Sequence, residues 1–223
     1  MTFTSGRIAV INGNSGELEE LGFSVEENGE ELDRYVTVSQ DIVDLEDNVI
    51  ARKGVAAKQE LEERDDVQLQ NGNLQIGSTP EVSWTWTPYW VVPDEIVVVG
   101  NSKGEFAFDL VSRAISAEVK KVTFNLSDII EDYPGQWMGS FEDRPDNVQR
   151  GTLYGDRIED DADMGSAFMQ SSKPQIGPWI DYQGEELKVR IGRTGWAQVV
   201  SPGTYSQEKY LGLVRNVLLN YTD

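Results

Sequence analysis

RKGVAAKQELEERDDVQLQNGNLQIG, residues 52 to 77, joins two signals of different period. Residues 52 to 64 are rich in Ala, Glu, Lys and Gln, which lose little on entering a helix, and they predict a modest helix. The following residues alternate Val67, Leu69, Leu74 and Ile76 with polar side chains on both sides of Asn71-Gly72. That dipeptide suits a type I′ turn and predicts a β-hairpin. Ser78-Thr79-Pro80 then reads as a joint, dividing the chain into an N-terminal α+β region, 1–80, and a larger α+β domain, 81–223.

Upstream, GRIAVING predicts a strand ending in a turn, and Asn14 with Glu17 could cap a short helix through Leu21. RYVTVSQDIV begins with strand alternation. Downstream, EVSWTWTPYWVVP alternates aromatic residues with Thr, EIVVVG is a strand of the fully buried type, and EFAFD alternates. Asp109 is placed to cap a helix through Ile115. QWMGSFEDRPDNVQRGTLYG predicts a hairpin turning at Pro145-Asp146-Asn147, and 156–178 predicts a long polar surface loop. Near the C-terminus two strands flank Gly192–Gly195. A helix then sets Tyr210, Leu213, Val214, Val217 and Leu218 on one stripe, with Thr204 and Gln207, or Ser206 alone, to cap it. DEIVVVGNSKGEFAFDLVSRAI and residues 185–218 share an apparent strand–turn–strand–helix order, as an internal duplication would. The class this predicts is α+β: mainly antiparallel hairpins, a few covering helices and an amphipathic C-terminal helix.

Charge bounds function more tightly than any motif. Asp plus Glu is 39 against 19 Lys plus Arg, a formal net charge of −20 over 223 residues. The acids are spread along the whole chain, so they describe a surface rather than a tail. Such a surface repels itself in dilute buffer, but at about 1 M salt the screening length falls to about 3 Å and the repulsion largely vanishes. Arg also outnumbers Lys. The composition resembles that of proteins from microbes that keep molar salt in the cytoplasm. The N-terminal stretch lacks the basic-then-apolar order of a signal peptide, and no apolar run is long enough for a membrane helix. A high-salt cytoplasm is therefore the expected location, with no membrane partner.

The chain has no His and no Cys. A Ser-His-Asp triad, a thiol nucleophile, a disulfide and a conventional zinc site are all excluded. GDRIEDDADMG, residues 155 to 165, offers Glu159, Asp161 and Asp163 as oxygen ligands for Mg²⁺ or Ca²⁺, but it departs from the EF-hand pattern. In so acidic a chain a solvated loop is the expected reading, and no cofactor is predicted. Glu186-Leu187-Lys188 has the Glu-x-Lys spacing of many metal-dependent nucleases and could share a metal with Asp163 or Asp181. No glycine motif meets a phosphate-loop pattern. Asn125-Leu-Ser127 and Asn220-Tyr-Thr222 match the glycosylation acceptor pattern, which without an export signal is coincidence.

Binding residues are better supported than catalytic ones, of which none is assigned. Trp84, Trp86, Tyr89 and Trp90 form the strongest aromatic cluster, with Trp84 and Trp86 on one strand face. They are expected to be buried or half-buried; if exposed, they would stack on a base, a sugar or a partner. Arg190 and Arg193 form a basic spot beside the second glycine turn. The leading expectation is a non-enzymatic binding, assembly or regulatory protein of a halophile. A protein partner or self-association is favoured over nucleic acid, because phosphate binding by Lys and Arg fades in salt. The alternatives are a divalent-metal-dependent hydrolase or nuclease, and a viral or plasmid-borne structural protein.

Overall fold

A computed structural model describes residues 4–43, 49–70, 73–101, 103–144 and 147–222. The first strands are β1 (Ser5–Asn12), β2 (Leu21–Glu27), β3 (Glu30–Val43), β4 (Val49–Gln70), β5 (Asn73–Val92) and β6 (Ile96–Val99). Helix α1 (Phe106–Ala114), β7 (Glu118–Lys121), α2 (Leu126–Asp132), β8 (Met138–Glu142) and β9 (Gly151–Tyr154) follow. A 3-10 turn (Ile158–Asp160) precedes α3 (Met164–Gln170), β10 (Ser172–Gly177), β11 (Trp179–Tyr182), β12 (Glu185–Gly192) and β13 (Trp196–Ser201). The chain closes with α4 (Gln207–Asn216) and a second 3-10 turn (Leu218–Tyr221).

All strands join one antiparallel sheet in the order β2-β3-β4-β5-β6-β1-β13-β12-β10-β8-β9, with β11 on β12 and β7 on β1. With thirteen strands against four helices among the described residues, the protein is mainly β and not α+β. Two segments expected as helix account for the correction, and a third, expected as strand, departs in the opposite direction. Residues 52–64 belong to β4, where Ala57 faces Trp86 and Gln59 faces Trp84 across the ladder. Helix propensities differ by no more than about 0.7 kcal/mol per ordinary residue. Val55, Ala56, Ala57 and Leu61 make no stripe worth burying, so pairing with the aromatic and β-branched residues of β5 prevails. Residues 14–20 form no helix. They are strapped to the body by Ser15, whose N–H and hydroxyl donate to Asp94 at 2.6 and 2.9 Å, and by Gly16 N–H on the Ile115 carbonyl at 2.7 Å. EFAFD is the start of α1, with Asp109 inside it. That removes the second strand from the supposed first copy of the duplication.

The hairpin reading around residue 71 holds, with pairing as far as Gln70↔Asn73; Asn71 and Gly72 themselves lie outside the described residues. Residue 80 lies within β5, opposite Glu63, so Ser78-Thr79-Pro80 is strand rather than joint. β8 and β9 pair as expected, and their turn residues Pro145 and Asp146 are outside the described set. The 156–178 segment is not a bare loop: it holds the first 3-10 turn, α3 and β10, anchored by buried Ile158 and Phe168. Asn125 accepts from Ser127 N–H and Asp128 N–H to cap α2.

The central strands are covered on both faces. Ala9, Ile11, Val91, Val97 and Val99 pack with Tyr89 under α1. Ile8, Trp90, Val92, Ile96 and Val98 pack on the other face with residues of α2 and α4. All four residues of β6 are buried, which is why its sequence is a continuous apolar run. Ser206 caps α4 by accepting from Lys209 N–H at 3.2 Å, and Tyr210, Leu213, Val214 and Leu218 are buried on the expected stripe.

Tyr205 is buried, and its hydroxyl has no hydrogen-bond partner among the described residues. Burial, with Glu185 nearby, pushes its pKa up to about 12. A phenol raised above its unfolded value contributes stability below pH ~10 and loses it as pH climbs toward 12. Tyr205→Phe is therefore expected to be neutral or stabilising at pH 7 and to flatten alkaline denaturation followed between pH 9 and 12. An unchanged alkaline limb would show that this phenol is not responsible.

Candidate binding surface

Beyond the body of the sheet β4 and β5 continue together. β3 accompanies β4 only as far as Lys58, and β6 accompanies β5 only from Tyr89. Among the described residues, from Glu60 to Gln70 and from Asn73 to Thr85, each strand has only the other as a ladder neighbour. At about 3.3 Å per residue this ribbon is roughly 35 Å long. Residues 62–67, 69, 73–74 and 76–82 are exposed on both of its faces.

Alternation sorts the ribbon into two unlike faces. One carries Lys58, Glu60, Glu62, Arg64 and Asp66 with Glu81, Ser83 and Thr85, joined by Lys58–Glu60 (2.6 Å) and Arg64–Glu81 (3.0 Å) ion pairs. The Lys58 ammonium, then the Thr85 hydroxyl, hold the Glu60 carboxyl below its usual pKa. The opposite face carries Leu61, Val67 and Leu69 with Leu74, Ile76, Val82, Trp84 and Trp86. The tip residues are the most open: Leu69 is 71% exposed, Leu74 72% and Ile76 78%. At the root Trp84 and Trp86 are 50% and 54% exposed, and the Tyr35 ring lies 5.9 Å from that of Trp84. Glu63, Asp65 and Ser78 interrupt the stripe, with the Ser78 hydroxyl donating to Glu63 at 2.9 Å.

Trp84 and Trp86 thus share a face, as their spacing implies, and stand about half exposed, at the open end of what was expected. The other two aromatics are core residues. Tyr89 points under α1 and donates to the Thr37 carbonyl at 3.0 Å, and its burial raises the phenol pKa. Trp90 points the other way, with the Lys53 ammonium 5.3 Å from its ring centroid. The tip residues Val67, Leu69, Leu74 and Ile76, whose alternation predicts the hairpin but not its exposure, join the surface. Their signal is in the sequence: apolar residues alternating with polar ones at a strict period of two on both sides of a two-residue turn.

No family model, curated protein or solved structure matches the chain. Function has to be read from the surface itself.

The carboxylates considered as metal ligands stand in different surroundings. Glu159 accepts from the Gly135 and Gln136 N–H groups, the latter at 2.9 Å. Asp161 accepts from Met164 N–H at 2.7 Å and Asp163 N–H at 3.1 Å, which fixes the start of α3 and lowers its pKa. Asp160 pairs with Arg157 at 2.6 Å, Asp163 is exposed, and Glu186 is exposed on β12 opposite Asp181. Among the described residues no three carboxylates are gathered closely enough to hold a metal ion. Titrating Mg²⁺, Mn²⁺ or Ca²⁺ at fixed ionic strength is expected to give no saturable rise in Tm; a rise abolished by Asp161→Asn with Asp163→Asn would establish a site in this loop.

Arg190 and Arg193 have separate surroundings. Arg193 donates to Ser172 Oγ at 2.7 Å and to the Lys173 carbonyl at 2.5 Å, and lies 3.7 Å from Glu142. Arg190 and Lys188 share the other face of β12 with Trp179 of β11, Lys188 and Trp179 being ladder partners. The Lys188 ammonium is 4.2 Å from the Trp137 ring centroid and 5.6 Å from that of Trp179; the Arg190 guanidinium is 5.8 Å from Trp137. Trp137 is held by its indole N–H on the Val189 carbonyl at 3.0 Å. Among the described residues no helix is long and apolar enough to cross a membrane.

Proposed function

We propose that this is a non-enzymatic binding and assembly protein that works through the β4–β5 arm, in the concentrated-salt cytoplasm of a halophile. The supporting observation is the arm itself: an amphipathic ribbon with two free edges and an open apolar face. A two-stranded hairpin is at best marginally stable alone in water, and a long apolar edge invites pairing with another chain. Covering the tip side chains would recover a large part of the ~1.5–3 kcal/mol that full burial of each is worth. Salt fits the same reading, since two bodies of net charge −20 approach closely only when their long-range repulsion is screened. A structural protein of a virus or plasmid is one form of this assembly reading.

The test is a shortened arm. Leu61 and Val82 are ladder partners, so deleting 62–81 and closing with Asn-Gly leaves the root of the hairpin intact. Sedimentation velocity in molar KCl is expected to show association that grows with concentration and salt for the full chain and a monomer for the shortened one. Equal sedimentation of the two at every concentration would refute the arm as the binding element. The unaltered chain is also expected to gain Tm steadily from 0.1 to 2 M KCl, through the loss of self-repulsion about its acidic surface. A flat response in thermal melts would remove the halophilic part of the proposal.

A further inference from the structure

We infer that the arm binds the arm of a second copy of this chain, apolar face on apolar face and antiparallel, in a closed two-fold dimer. This rests on the arm being the binding element. The pattern along the apolar face selects the partner. A tip patch of Val67, Leu69, Leu74 and Ile76 and a root patch of Leu61, Val82, Trp84 and Trp86 are separated by two polar rows, Glu63 with Pro80 and Asp65 with Ser78. A half-turn about an axis through the Glu63–Pro80 row lays the tip of each copy over Trp84 and Trp86 of the other. One surface thereby fits itself twice, which is the condition for an isologous contact. All the large side chains of the two patches except Leu61 are 44–78% exposed. Together with Tyr35 beside Trp84 they offer on the order of 800 Å² per copy, the share each partner gives to a standard interface.

Other arrangements leave this surface uncovered or do not fit. Pairing along the ribbon edge would satisfy backbone groups but keep the apolar side chains in water. Parallel stacking fails on space. Trp90 lies on the same face of β5 and is packed beneath residues of α2 and α4. Two sheets stacked about 10 Å apart leave no room for two such helix layers between them. The antiparallel order instead puts the two bodies at opposite ends of the paired arms. It also brings Glu63 of one copy opposite Glu63 of the other, with Asp65 close by; these are the acids of the apolar face. Like charges meeting at the axis oppose pairing in dilute buffer and are screened in brine.

The sign of that charge effect, together with cross-linking, tests the inference. Glu63→Gln with Asp65→Asn should tighten dimerisation in dilute salt by at least about tenfold and flatten its salt dependence. Weakening by the same change would point to a basic partner and overturn the inference. Sedimentation in molar KCl should stop at the dimer, and growth beyond it would rule out the two-fold contact. The chain has no cysteine, so single cysteines report the order of the arms. With a short bismaleimide linker, Pro80→Cys should join to its own copy. Ile76→Cys and Trp84→Cys should join weakly alone and strongly when mixed. Ile76→Cys that joins to itself in preference to Trp84→Cys would overturn the antiparallel order. If deleting 62–81 abolishes association but Pro80→Cys is not joined, this partner is wrong and the arm reading stands. If the deletion leaves association unchanged, both fall.

Discussion

Gly54→Ala is expected to cost more than about 3 kcal/mol of unfolding free energy, in the range reserved for disrupted cores. Gly54 sits in β4 between Val38 and Tyr89 on the flanking strands. The Tyr89 ring crosses over it so that its hydroxyl reaches the Thr37 carbonyl. A Cβ at 54 would stand 1.8 Å from that carbonyl oxygen, 2.5 Å from the Tyr89 hydroxyl and 2.6 Å from its ring carbon. Expelling Tyr89 would relieve only its own clash and would abandon a buried hydrogen bond; the Thr37 carbonyl is backbone, so β3 and β4 must also part at this point, opening the core under α1. Gly203→Ala is the control, because a methyl there meets nothing within 4 Å. Urea denaturation of the two variants at one salt concentration decides the matter. A loss at Gly54 no greater than at Gly203 would mean that the sheet under α1 is not built this way.

The second large effect is on association rather than folding. Leu69→Ser, Leu74→Ser and Ile76→Ser together should abolish self-association at concentrations where the unaltered chain is fully assembled, with the monomer's Tm essentially unmoved. The three side chains are more than two-thirds exposed, so the isolated fold has little to lose when they shorten. Each apolar side chain removed from a covered interface forfeits up to about 1.5–3 kcal/mol, and three of them span several decades in Kd. A matched triple change on the polar face, Glu62→Ser, Arg64→Ser and Glu81→Ser, should be much milder. Light scattering against concentration separates the two sets. Equal effects from both faces would show that the amphipathic division of the arm carries no binding information.

The fold was legible where one signal acted alone. The Asn71-Gly72 hairpin, the buried run of β6, the β8–β9 hairpin and the α4 stripe follow from turn chemistry and period, and each is found. Residues 52–64 mislead because their local preference for helix is real but small. The partner that decides the matter, β5, pairs with them across as many as thirty-nine positions, from Arg52 to Val91. Burial was harder to foresee than periodicity. Trp84, Trp86 and Trp90 share one face of β5, yet only Trp90 is covered, because the neighbouring strand β6 reaches no further than Tyr89. Lys188 was visible beside its Glu-x-Lys neighbour, but its two indole neighbours come from 137 and 179, and no local pattern announces a contact made by the ladder.

Hydrogen exchange along the arm tests the central claim most directly. In dilute protein, residues 62–70 and 73–81 should exchange quickly, as a ribbon with two open edges must. In molar KCl at high protein concentration the same amides should become protected, while those of β6 and β1 stay protected throughout. Arm amides that exchange at one rate from dilute to concentrated protein, in a chain that nonetheless associates, would contradict the account.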